Sequence, residues 1–220
     1  EAVRFQPGVP LLLDTSVQAA GMEDGCIAWV RGWQGPAETT HTVRARLFAD
    51  CSGDAILAPL TGAEFRLGRE AAAEFNEPIE PASADRRTMG QSCLIQMREL
   101  DHDNVFIPPA WAAKYLTCSE LPHRGHRIGT TNFWWLELGG EQDAIHDTGA
   151  LRDRLLAAAF GVWDHIKNHC PEQDARRWAL EWVGFLPGKR ESRRLVGDHV
   201  LSQREVEAGG RFDDVVGYGG

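Results

Sequence analysis

Val43-Arg44-Ala45-Arg46-Leu47-Phe48-Ala49-Asp50-Cys51-Ser52-Gly53-Asp54-Ala55-Ile56-Leu57-Ala58-Pro59-Leu60 is the stretch on which the fold reading turns. Val43, Ala45, Leu47 and Ala49 recur with a period of two, which predicts a strand. The run then meets Asp50-Cys51-Ser52-Gly53-Asp54, a cluster of turn formers. Beyond it Ile56, Leu57 and Leu60 fall on one side of a helix from residue 54 to 60. Strand, tight turn and helix start in succession aim backbone N–H groups, and the positive end of a helix dipole, at whatever sits above the turn.

Upstream, residues 10–17 predict a first strand around the apolar run Leu11-Leu12-Leu13, and residues 26–30 a second. Glu23-Asp24-Gly25 between them is a hairpin signal. With the strand at 43–49 they make a β-meander. Downstream, residues 66–87 read as charged loop interrupted by Pro78 and Pro81. Residues 92–97 and 133–138 predict strands. Helices are expected over 149–168, with Leu151, Leu155, Phe160, Val162, Trp163 and Ile166 on one face, and over 171–183, with Ala175, Trp178, Ala179, Trp182 and Val183 repeating the pattern. The chain therefore divides into 1–87, the meander and its strand–turn–helix, 88–185, an α+β region able to cover a ligand, and 186–220, a return toward the first part.

Composition narrows the partners. Against 23 Lys and Arg stand 32 Asp and Glu, a formal net charge of −9. That balance argues against nucleic acid, whose binding needs a basic surface to displace counterions. No stretch approaches the ~18 apolar residues of a membrane span. A soluble chain is expected, with the cytoplasm favoured as its compartment. Oligomeric state is not readable. Glu1 is not an initiator Met and the sequence stops within Val216-Gly217-Tyr218-Gly219-Gly220, so the chain reads as an internal piece of a longer protein.

Cys26, Cys51, Cys93, Cys118 and Cys170 are odd in number and contain no C-x-x-C pair, so neither a disulfide framework nor an iron–sulfur set is indicated. His165 and His169 stand four apart on a predicted helix, beside Asp164 and Cys170, and Cys118, His123 and His126 form a looser set. Without a Glu in the zincin position or a clear remote ligand, both read as structural, and no metal is expected. Lys189, Arg190, Arg193 and Arg194 concentrate positive charge after Leu186-Pro187-Gly188, suited to bidentate capture of one phosphate or carboxylate. A solvated strand edge, with Glu191 pairing its neighbours, is the plainer reading.

Three segments in order carry a resemblance: residues 43–70, Thr88-Met89-Gly90-Gln91-Ser92, and residues 188–198. Together they resemble FAD-dependent oxidoreductases related to the flavoprotein subunit of heterodisulfide reductase. The resemblance implies an α/β to α+β fold: part of a two-dinucleotide-binding-type FAD/NAD(P) domain, with its β-meander and an inserted α+β substrate domain. The three-glycine fingerprint that holds the FAD pyrophosphate in such folds is not in this sequence. It further implies that Ser16 and Val17 meet the adenine edge and that Cys51, Ser52, Gly53 and Asp54 lie beside pyrophosphate and ribose. Arg190 and Arg193 would lie near the flavin as cofactor-binding and candidate catalytic groups, His199 being a third catalytic candidate. A small organic substrate would pass a hydride to the flavin. Relatives often carry iron–sulfur clusters, which this sequence does not support. The competing reading is a carbohydrate-binding module using exposed tryptophans, with Trp33, Trp111, Trp134 and Trp135 as possible cleft residues and Trp163, Trp178 and Trp182 as core.

Overall fold

The computed structural model describes residues 3–79, 81–121, 125–129, 133, 135–213, 215 and 217. The chain is mixed α and β and forms two compact units: Glu1–Leu67 with Arg193–Gly220, and Gly68–Ser192. The sequence suggests borders at 87/88 and 185/186; the units change over at 67/68 and 192/193.

In the first unit, β1 (Thr15–Glu23), β2 (Cys26–Gln34) and β3 (Thr39–Arg44) form an antiparallel meander in the order β1-β2-β3. Asp24 and Gly25, with φ of 50° and 76°, make the expected two-residue turn. The strand limits differ from expectation at both ends. Leu11, Leu12 and Leu13 precede β1 and are exposed, and β3 ends at Arg44, so the alternating residues 45–49 lie beyond the ladder with Leu47 89% exposed. Register explains the shift: β2 pairs from Gln34↔Thr39 to Trp29↔Arg44, which fixes where the third strand starts and stops. A bulge between Val17 and Ala19 bends β1. α1 (Leu57–Thr61) follows the Ser-Gly-Asp turn, starting later than expected. β4 (Phe65–Arg66) pairs with a late strand over Phe65↔Leu195 and Arg66↔Arg194, drawing the C-terminal segment into this unit.

The second unit holds the core. After a short α2 (Ala72–Phe75), the strand expected over 92–97 appears as two, β5 (Gln91–Ser92) and β6 (Ile95–Glu99). The strand expected over 133–138 is reduced to β7 (Glu137–Leu138), which pairs with β5; Trp134 lies outside the described residues. α3 (Thr148–Asp164) realises the first long helix. Leu151, Leu155, Ala158, Ala159, Val162 and Trp163 recur at intervals of three and four and are buried. Leu155, Ala159, Val162 and Trp163 pack with Ile166 on Cys93, Ile95, Met97, Phe133 and Leu136. Each large apolar side chain buried here contributes about 1.5–3 kcal/mol.

The second expected helix is absent. Residues 178–183 are instead β8 (Trp178–Val183), antiparallel to β6. Trp-Ala-Leu-Glu-Trp-Val carries as much strand as helix propensity, and the open edge of β6 decides between them. Trp178 is packed on the core as expected, but Trp182 is half exposed. The chain closes with β9 (Arg194–Leu195) and α4 (Gln203–Glu207), the latter capped by Ser202 and Glu205. Every strand pair is antiparallel among the described residues.

Candidate cofactor site

The turn at Asp50–Asp54 is built from its own side chains. Asp50 Oδ1 accepts hydrogen bonds from Ser52 N at 3.0 Å and Ser52 Oγ at 2.6 Å, and Oδ2 accepts from Leu57 N at 2.8 Å. Ser52 Oγ in turn accepts from Asp54 N and Ile56 N at 3.3 and 3.2 Å. The amides expected to face a ligand are therefore satisfied internally, and α1 is a single turn capped by Asp50. Burial works to raise the Asp50 pKa. The hydrogen bonds from Ser52 and Leu57, with the Arg193 charge, outweigh it and leave the carboxyl below its usual range.

Gly53 sits at φ 79°, and nothing lies within 4 Å of where its Cβ would be. Backbone conformation requires the glycine, and the space beside it stays open. Cys51, Ser52 and Gly53 are all exposed. Arg193 braces the turn: its Nε donates to Asp54 O at 2.8 Å while its guanidinium lies 5.7 Å from the Phe65 ring centre. On the meander, Ser16 is exposed and Val17 half-buried; β1 is an edge strand, and no strand pairs its outer side among the described residues.

Residues 2–220 match the FAD dependent oxidoreductase family. The chain belongs to that family. No curated protein and no solved structure matches it.

For an FAD-dependent oxidoreductase, the open space at Gly53 and the unpaired outer edge of β1 are what a dinucleotide's adenosine and phosphate portions need: backbone that can be approached closely. The residues present fit that part of FAD. The basic residues of 189–194 divide between the two units. Arg193 serves the turn, Arg194 is in β9, and Arg190 belongs to the other unit, where it pairs with Glu137 Oε2 at 3.2 Å. Lys189 and Arg190 line a cleft with Leu94, Trp182, Gly184 and Leu186. Met89 N donates to Glu191 at 2.8 Å, so Glu191 ties the 189–192 segment to the 88–90 segment. His199 faces Glu205 at 3.3 Å and lies against the Phe212 ring.

Two features escape the sequence reading. Asp50 reads there only as one of a cluster of turn formers; the Asp-x-Ser spacing that makes the side chain cap its own turn is the available signal. The second is a Cys/His group in the other unit, assembled from Cys118, His126, His165 and Cys170. It draws on both of the sets considered separately in the sequence, and leaves out His169. His123 lies outside the described residues.

Proposed function

We propose that this oxidoreductase chain is related to the flavoprotein subunit of heterodisulfide reductase and carries the adenosine-side contacts of FAD in its first unit and the substrate domain in its second. The family match across residues 2–220 carries the FAD and oxidoreductase part of the reading. Ser16 and Val17 offer backbone to the adenine, and Cys51, Ser52, Gly53 and Asp54 lie along the ribose and pyrophosphate. FAD, when bound, supplies the two-electron acceptor for a hydride from a small organic substrate. Arg193 keeps the turn in shape through Asp54 O and places a fixed positive charge behind it. Arg190, oriented by Glu137, sits in a cleft otherwise lined largely by apolar groups, which suits an organic substrate bearing a carboxylate or phosphate. Of the tryptophans a carbohydrate-binding module would use, Trp33 and Trp111 are exposed but belong to different units, Trp135 packs on the core and Trp134 lies outside the described residues, so the family match favours the flavin reading.

The experiment is to purify the protein in its full natural sequence context, denature it and identify the released cofactor by mass. FAD in near-stoichiometric amount supports the reading. A protein that releases no flavin and takes none up from excess FAD overturns it.

A further inference from the structure

Cys118, His126, His165 and Cys170 bring one ligand atom each into a group whose members all lie within 4.8 Å of one another. Three of the residues are buried and Cys118 is half-buried. All four belong to the second unit. We propose that they hold one zinc ion in a closed, tetrahedral Cys2His2 site.

The distances carry the inference. With Zn–S near 2.3 Å and Zn–N near 2.0–2.1 Å, a tetrahedral ion places two sulfurs about 3.8 Å apart and a sulfur and a nitrogen about 3.5 Å apart. Here Cys118 Sγ and Cys170 Sγ are 3.8 Å apart. Cys118 Sγ lies 3.5 Å from His165 Nε2, and Cys170 Sγ 3.6 Å from His126 Nδ1. Three independent separations match one geometry.

Three of the four ligands are also aimed by their surroundings. His165 Nδ1 lies 2.9 Å from the Tyr115 carbonyl oxygen; donating to it places the proton on Nδ1 and leaves Nε2 for the metal, the usual support for a zinc-bound imidazole. Cys118 opens a short 3-10 turn, Cys118–Glu120, whose shape is fixed by Leu116 N and Thr117 N donating to Glu120 Oε2 at 2.8 Å. Cys170 follows a π turn, His165–His169, and its N–H donates to His165 O at 2.7 Å. In a π turn the residue stacked over His165 is the fifth onward, Cys170, not the fourth. His169 instead turns to Asp164, 3.5 Å away.

The alternatives fit less well. A disulfide needs its sulfurs at about 2.05 Å and would leave the buried His126 ring with no strong partner among the described residues, His165 keeping only its bond to the Tyr115 carbonyl. His126 Nε2 is buried without a hydrogen-bond partner among the described residues, so without an ion that ring's only polar contact there is the Cys170 thiol. A two-iron cluster would spread its ligands farther than this group allows. Two thiolates and two imidazoles around one point are a borderline-soft donor set that suits zinc, and four protein ligands leave no open position for catalysis. The ion's role is to tie the 115–128 segment to the end of α3. Between Glu99 and Glu137 the described residues hold no regular element besides the turn at Cys118, so a metal supplies the cross-link that a ladder would give elsewhere.

The test is metal analysis of the purified full chain, followed by replacement with Co2+ under reducing conditions. One zinc per chain, the visible absorption of tetrahedral cobalt with a thiolate-to-cobalt band, and an X-ray absorption shell of two sulfurs and two nitrogens are expected. Cys118→Ser should lose the metal and the charge-transfer intensity, while His169→Ala should keep both. Failure of the reduced wild-type protein to take up either ion overturns the site, as does isolation of the native protein with a Cys118–Cys170 disulfide. Loss of metal in His169→Ala with retention in Cys118→Ser would overturn the ligand set. The X-ray absorption shell is read on wild-type protein, so it decides even if Cys118→Ser does not fold.

Discussion

Asp50 and Gly53 divide the labour of the turn. Asp50 is the structural member, since its carboxylate satisfies amides before and inside α1. Asp50→Ala should lower stability by about 1 kcal/mol, read as a shift in denaturant midpoint without a change in slope. Gly53→Ala meets no neighbour, so its cost should be confined to the left-handed backbone, about 1 kcal/mol. If FAD approaches that backbone closely, the same substitution should weaken FAD binding by more than the stability change implies, a split that paired titrations of melting and cofactor affinity would expose. A second acid-sensitive carboxyl is Asp85. Hydrogen bonds from Arg69 above all, and from Arg87 N, hold Asp85 at about 2 against an ordinary 3.8. The folded-state value is depressed, so the stabilisation is fully present above about pH 4 and is lost as pH falls toward 2. Resonances of residues 69 and 85–87 should respond in that window, and Asp85→Asn should abolish the response.

At the scale of elements, α3 is legible in the sequence because its buried positions repeat with helical spacing over 17 residues, and alanines fill the middle. β8 is not. Its six residues show apolar groups compatible with either period, and the deciding fact is its pairing with β6, more than 75 residues away in sequence. The π turn is equally hidden, because helical spacing of His165 and His169 presumes a regular last turn. Gly161 is the residue that positions this region. A methyl group there would come within 2.3 Å of the Ala113 carbonyl oxygen, while Ala113 N donates to Ala157 O at 2.9 Å. Gly161→Ala gains helix propensity but forces the 113–118 segment away. We expect a net loss of about 1–3 kcal/mol in thermal or chemical denaturation, with weaker metal retention because Tyr115 and Cys118 move together. A neutral or stabilising Gly161→Ala would show that the segment yields freely.

Across the whole molecule, burial is unevenly shared. The core cluster lies entirely in the second unit, whereas the buried apolar side chains of the first unit among the described residues are Ala55 and Ala58. Hydrogen exchange should therefore be slowest in α3, β6 and β8 and markedly faster in the meander; uniform protection would contradict this distribution. The borders of the two compact units are not legible from sequence, since pairing between residues 65–66 and 194–195 joins segments that no local signal connects.

That small ladder has a structural corollary. β4 and β9 run antiparallel with Arg66 opposite Arg194, so the chain leaves the first unit and re-enters it on neighbouring strands, roughly 5 Å apart. In sequence, the second unit is thus an insertion between the two strands of what would otherwise be an ordinary hairpin. A two-residue Asn-Gly linker could span the same gap. Residues 68–192 are in that sense a cassette: the scaffold could receive a different insert, or none, at the cost of one turn.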